Sequence, residues 1–133
     1  MTKIKINAEI EKDGESFIFY VNIFNISEET LKLNLSNNTG GLVRESVHLY
    51  DKNKDRLHKG ISYMTPINDF TNLTSIETGE SAQLILKARL EEIENDLFLD
   101  FKGANFNVNQ DETYYFQIEY LGAKSDMAPF NID

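Results

Sequence analysis

The chain contains no cysteine, which removes disulfide staples, thiolate nucleophiles, cysteine-ligated zinc and iron–sulfur clusters together. It contains only two histidines, His48 and His58, and no His-Glu-x-x-His sequence, so a histidine-based metal centre is not expected. Gly-x-Ser-x-Gly is missing, and Gly40-Gly41 is followed by Leu42-Val43 instead of the Lys and Ser or Thr of a phosphate loop. No cofactor is expected. Long apolar runs are lacking as well: nothing approaches the roughly 20 residues of a membrane-spanning helix. The start, Met1 to Asn7, alternates polar and apolar residues where a signal peptide needs about 7–15 unbroken apolar ones. A soluble cytoplasmic protein is the resulting expectation. Basic residues are scarce, 13 against 22 acids, and the net charge of −9 repels phosphate backbones and anionic lipid alike. Neither nucleic acid nor membrane is expected as a partner.

What is present is a globular composition, 41% hydrophobic and 26% charged over 133 residues. That length suits one domain, typically about 100–200 residues. Period-two alternation dominates. Ile4, Ile6, Ala8 and Ile10 share one face of a strand, and Ser16 to Phe24 is continuously apolar or aromatic, as in a central strand covered on both faces or nearly so. Further strands are expected at Leu31–Leu35, Leu42–Tyr50, Arg56–Tyr63, Leu73–Glu77, Ser81–Leu90 and Thr113–Leu121. Residues 91–101 are ambiguous. Leu90, Ile93, Leu97 and Phe101 fit a helix, whereas Leu97, Leu99 and Phe101 fit a strand, so a short helical turn near residues 89–97 followed by a strand is expected. About eight strands without a βαβ pattern predict an all-β, antiparallel, immunoglobulin-like β-sandwich over residues 1–121, followed by a C-terminal tail at 122–133.

Two motifs invite chemistry and are read as structural. Asp51-Lys52-Asn53-Lys54-Asp55 has the spacing that opens a calcium loop, but Arg56 stands where the sharp turn needs Gly and Ser62 where a bidentate Glu is needed; a hairpin turn is expected. On such a hairpin, His48 and His58 could face each other across its base as a shared ligand pair, but exposed strand histidines are the leading expectation. Four Asn-x-Ser/Thr sequons, at Asn25, Asn34, Asn37 and Asn72, are expected to be chance products of an Asn-rich chain, with no glycosylation expected without export.

Charge is unevenly distributed. Residues 1–66 carry nine acids and nine bases, whereas residues 67–133 carry thirteen acids and four bases. The densest acidic part comprises Glu91, Glu92, Glu94, Asp96 and Asp100, with no Lys or Arg among residues 90–101. Such a segment is most simply a solvated face that keeps an acidic protein soluble; it can also serve as a docking patch for a basic protein or a low-affinity cation site, and these five residues are the candidate partner-binding site. The alternative site lies in the loops, at Thr39, Gly40, Gly41, Leu42, Met64 and Asn68.

The order Asn25-Ile26-Ser27-Glu28-Glu29, the strand to Leu35, Thr39-Gly40-Gly41-Leu42, a hairpin reaching Gly60 and Pro66, Glu77-Thr78-Gly79-Glu80-Ser81 and a Tyr-rich closing strand resembles the immunoglobulin-like β-sandwich at the N-terminus of deuterolysin-type peptidyl-Lys metallopeptidases. More loosely, it is similar to small intracellular proteinase inhibitors of bacteria. The resemblance covers roughly residues 16–121 and implies a non-catalytic module; the zinc-binding motif of those peptidases belongs to a domain not found here. The leading expectation is a non-catalytic module that binds another protein, an inhibitor or immunity-type partner of a hydrolase or toxin. The alternatives are a small hydrolytic or metal-dependent enzyme whose carboxylates converge only in the fold, and an assembly component using exposed strand edges.

Overall fold

The computed structural model describes residues 2–34, 43, 45–60 and 73–133. The protein is all-β. Its first sheet has five antiparallel strands in the order β1 (Ile4–Asp13), β2 (Ser16–Asn25), β6 (Ser81–Ile93), β7 (Asp96–Asp100) and β8 (Asn105–Val108). In the second sheet, β9 (Glu112–Tyr120) lies between β4 (Val47–Tyr50) on one side and β10 (Ala123–Lys124) and β11 (Ala128–Ile132) on the other. A separate two-stranded ladder joins β3 (Leu31–Asn34) to β5 (Leu73–Ile76).

The alternation in the sequence becomes the two faces of the first sheet because successive strand side chains point to opposite sides. Register pairs Ile6 with Ile23, Phe19 with Leu86, Leu90 with Leu99, and Leu99 with Phe106 on the inner face. Tyr114, Phe116 and Ile118 of β9 close onto that face with Val47, Leu49, Phe130 and Ile132 to form one core. At its centre, the Phe19 ring lies 4.5 Å from Phe116, 5.1 Å from Phe101 and 5.6 Å from Phe130, so one aromatic cluster ties the two sheets together. The outer face of β2 is half-buried at Ile18, Tyr20, Asn22 and Phe24 and carries an amide ladder, Gln83 to Asn22 to Asn7, with donor–acceptor distances of 3.2 and 3.1 Å. β2 is therefore fully buried on its inner face and half-buried on its outer one.

Four expectations are corrected. No helix occupies residues 89–97. β6 continues to Ile93, and Glu94 and Asn95, both at positive φ (51° and 71°), make a two-residue turn into β7. The helical spacing of Leu90, Ile93 and Leu97 arises because a tight turn happens to offset two strands by that interval. Residues 122–133 are not a loose tail: they supply β10 and β11, and Phe130 and Ile132 are buried. Pro129 hides the second of these strands in the sequence, yet a strand bonded to β9 alone tolerates a residue without an N–H. With β8 also paired, the strands among the described residues number eleven instead of about eight. Finally, Arg56–Tyr63 is not a continuous strand in its described part. Arg56 bridges to Tyr50 and Gly60 to Asn105, so this segment leaves the second sheet and fastens to the edge of the first.

Among the described residues, no helix is long and apolar enough to cross a membrane.

Candidate functional site

The antiparallel order places several turns at one end of the sandwich. Ser16 pairs with Arg89, Leu97 with Val108, and Ile132 with Glu112. The β1–β2, β6–β7 and β8–β9 turns therefore gather together with the last residue, bringing Asp13, Glu15, Asp111 and Glu112 to the same end as the acidic segment. Two bases share it: Arg89 lies 3.9 Å from Glu15, and Lys12 pairs with Asp133. Both pairs are solvent-exposed and contribute little to stability.

The β6–β7 hairpin projects furthest. Pairing of β6 with β2 stops at Arg89, with one further bond from Leu90 N to Glu15 O (2.9 Å), and β8 reaches β7 only as far as Leu97. Residues Glu91–Asp96 are held by their own ladder alone. Glu91 stands across from Phe98 and Ile93 across from Asp96 on the outer face, while Glu92 faces Leu97 on the opposite side. Glu91, Glu92, Glu94 and Asp96 are all exposed, and no ion pair among the described residues reaches them. Their field is screened only by salt, over about 8 Å at physiological ionic strength.

The structure separates the fifth predicted member from this group. Asp100 sits at the far end of β7, about 13 Å of strand away from Asp96, and its Oδ1 accepts a hydrogen bond from Lys102 N (3.0 Å), capping the turn in which Lys102 takes a positive φ. The candidate loop residues Thr39, Gly40, Gly41, Leu42, Met64 and Asn68 lie outside the described residues. Ile93, absent from the acidic group marked by the sequence, is 49% exposed in the midst of the acids. Its signal was the β6 alternation carried two residues beyond Glu91, obscured by the helical reading of the same stretch.

No protein-family model matches this chain, and no curated protein matches it significantly.

The other motifs singled out in the sequence resolve as structure. Asp51 Oδ1 accepts hydrogen bonds from Asn53 N (2.8 Å) and Asp55 N (3.0 Å), so its carboxylate organises a turn in which Lys54 takes a positive φ. Among the described residues, no group of three or more His, Asp or Glu is arranged to hold a metal ion. His58 is exposed, as expected of a strand histidine, whereas His48 is half-buried and its Nδ1 lies 3.5 Å from Lys59 Nζ. Burial, followed by the positive charges of Lys59 and Arg56, lowers the His48 pKa from 6.5 to about 4, with Glu119 opposing them. Between those two values an unfolded chain binds a proton at this residue that the folded one does not, so stability is fully present above pH 6.5 and declines as pH falls towards 4. Because the ring is partly exposed, solvent screening keeps the loss modest. Thermal melts from pH 7 to pH 5 should show a decline that His48→Gln flattens.

Proposed function

We propose that this chain is a non-catalytic, immunoglobulin-like protein-binding module whose acidic end docks a basic surface on another protein, in the manner of an inhibitor or immunity-type partner of a hydrolase or toxin. The observation that carries this reading is the hairpin tip Glu91–Asp96, which projects past its neighbours with its acids unpaired and Ile93 exposed among them. Unpaired charge on a projecting element acts over distance and raises encounter rates with a partner of opposite sign, while a central apolar side chain holds the complex once formed. A rigid two-residue turn adds to this by presenting both without a large ordering cost.

The test separates those two contributions. With a partner captured from the source cell, replacing Glu91, Glu92 and Glu94 by Gln should slow association about tenfold at low salt and flatten its salt dependence. The melting temperature should stay nearly unchanged, because exposed charges contribute little individually. Ile93→Ser should instead speed dissociation. A triple variant that associated at the unaltered rate and with the unaltered salt dependence would refute the reading.

A further inference from the structure

The outer face of the first sheet carries a row of amides that the core does not need. Register places Asn7, Asn22 and Gln83 side by side on β1, β2 and β6. Gln83 Nε2 donates to Asn22 Oδ1 (3.2 Å), and Asn22 Nδ2 donates to Asn7 Oδ1 (3.1 Å). Asn7 and Gln83 are exposed, and Asn22 is half-buried. A side-chain amide has two N–H donors and two acceptor lone pairs, so each member of the row keeps at least one donor and one acceptor for a ligand. The bonds within the row hold those groups in place.

Aromatic rings flank the row. Along β2, Tyr20 and Phe24 stand on either side of Asn22, on the same face because alternate strand residues share it, and both are half-buried. From Tyr20 to Phe24 the strand runs about 13 Å. Tyr20 Oη donates to Glu11 Oε2 (2.9 Å), although the register partner of Tyr20 on β1 is Glu9, so the hydrogen bond lays the ring diagonally over the neighbouring strand. From the other side Ile85, 37% exposed, pairs with Tyr20. The charges bordering this strip cancel: Lys5 beside Phe24 and Lys87 beside Ile18 stand against Glu9 and Glu11. On a chain of net charge −9, the strip is electrically neutral.

We propose that this strip, with the Asn7–Asn22–Gln83 row at its centre and Tyr20 and Phe24 at its ends, binds a neutral oligosaccharide. A sugar ring is amphipathic. Its C–H face packs on the electron-rich face of an aromatic ring, and the hydroxyls at its rim both donate and accept, as a row of amides does. Charge and desolvation select this ligand over two others. A single-stranded nucleic acid also stacks on aromatic rings, but its phosphates would enter the field of a −9 chain with Lys5 and Lys87 as the cations beside the strip. A protein surface would strip water from amides lying in the middle of the patch, where the core of a protein interface is apolar. A sugar chain replaces that water with its own hydroxyls. The strip shares no residue with the hairpin tip Glu91–Asp96, so the two sites stand or fall separately.

The experiment is an NMR titration of the isotope-labelled full chain with cellohexaose, maltohexaose and mannohexaose in turn, and with a uridine hexanucleotide as the contrasting probe. Saturable shifts at Tyr20, Asn22 and Gln83 are expected with at least one hexaose, at a dissociation constant of about 1 mM or tighter. Whichever hexaose binds names the sugar. Tyr20→Ala and Gln83→Ala should each weaken binding about fivefold or more, the loss of one stacking or hydrogen-bonding contact. Tyr20→Phe, which keeps the ring and removes its bond to Glu11, should weaken it less than Tyr20→Ala. Gln83 is exposed, so Gln83→Ala leaves the fold intact and keeps the test decisive whatever Tyr20→Ala does to stability. The variant with Glu91, Glu92 and Glu94 replaced by Gln should bind the hexaose unchanged. No saturable shift by about 10 mM of any hexaose, undiminished binding by Gln83→Ala, or tighter binding of the hexanucleotide than of every hexaose would overturn the proposal.

Discussion

Phe19→Ala should destabilise the fold by about 3–5 kcal/mol, the range for removing a buried aromatic ring from a core. Phe19 is fully buried, and its ring touches Phe116 and Phe130 of the second sheet as well as Phe101 beyond β7. Truncation opens a cavity at the plane where the sheets meet and also removes ring–ring contacts worth about 0.5–1.5 kcal/mol each beyond area burial. Against a typical total of roughly 5–15 kcal/mol, such a loss consumes a large share of the stability. A fall in melting temperature of about 10–20 °C should accompany it. Ile18→Ala, one residue away on the half-buried outer face, should cost under about 1.5 kcal/mol. Urea unfolding of the two variants checks the contrast. Equal losses would mean that the inner and outer faces of β2 are not distinguished as described.

The second large effect is expected at a polar residue. Asn25 is 1% exposed, and its side chain is fully used. Nδ2 donates to Glu29 O and Ile76 O, both at 2.8 Å, while Oδ1 accepts from Ser27 N (2.9 Å) and Ser27 Oγ (2.6 Å). Its backbone adds bonds to Glu80 and Gly79. One amide thus ties the end of β2 to the following turn, to β5 and to the β5–β6 turn. Asn25→Ala strips the Ile76 carbonyl and the Ser27 amide of this partner, at about 1 kcal/mol or more each, and leaves Glu29 O with only the Ser27 hydroxyl at 3.0 Å, so a loss of about 2–4 kcal/mol is expected. Asn25→Asp should fare no better, because a carboxylate would face those carbonyls with nothing to donate. Equilibrium unfolding gives the magnitude, and faster hydrogen exchange at Ser27 and Gly79 would locate it. A loss below about 0.5 kcal/mol, the level of an ordinary surface substitution, would show that the knot does not hold these turns. The same geometry answers the Asn25 sequon, since its amide nitrogen is buried and engaged twice.

At the candidate site, charge density alone marks Glu91, Glu92, Glu94 and Asp96, because a run of acids without bases is visible one residue at a time. Nothing local shows that Asp13, Glu15 and Asp111 join them, that Asp100 is occupied by Lys102 N, or that Ile93 is exposed at their centre. Likewise, the spacing of the two histidines allows a pair, but the side chain that reaches His48 is Lys59.

The sequence by itself determined the β class and most of the inner faces. Ile4–Ile6, Phe17–Ile23, Leu84–Ala88 and Tyr114–Ile118 repeat every second residue, and a strand converts that period directly into a buried side and a wet side. Tertiary structure decided the rest. Residues 89–97 satisfy helical and extended spacing equally; the pairing of β6 with β2 and of β7 with β8 selects the strands. Pro129 argues locally against a strand, yet burying Phe130 and Ile132 against β9 outweighs it. The difference is physical: periodicity is a property of neighbours along the chain, whereas register and edge position depend on which distant segments bury the most apolar surface together.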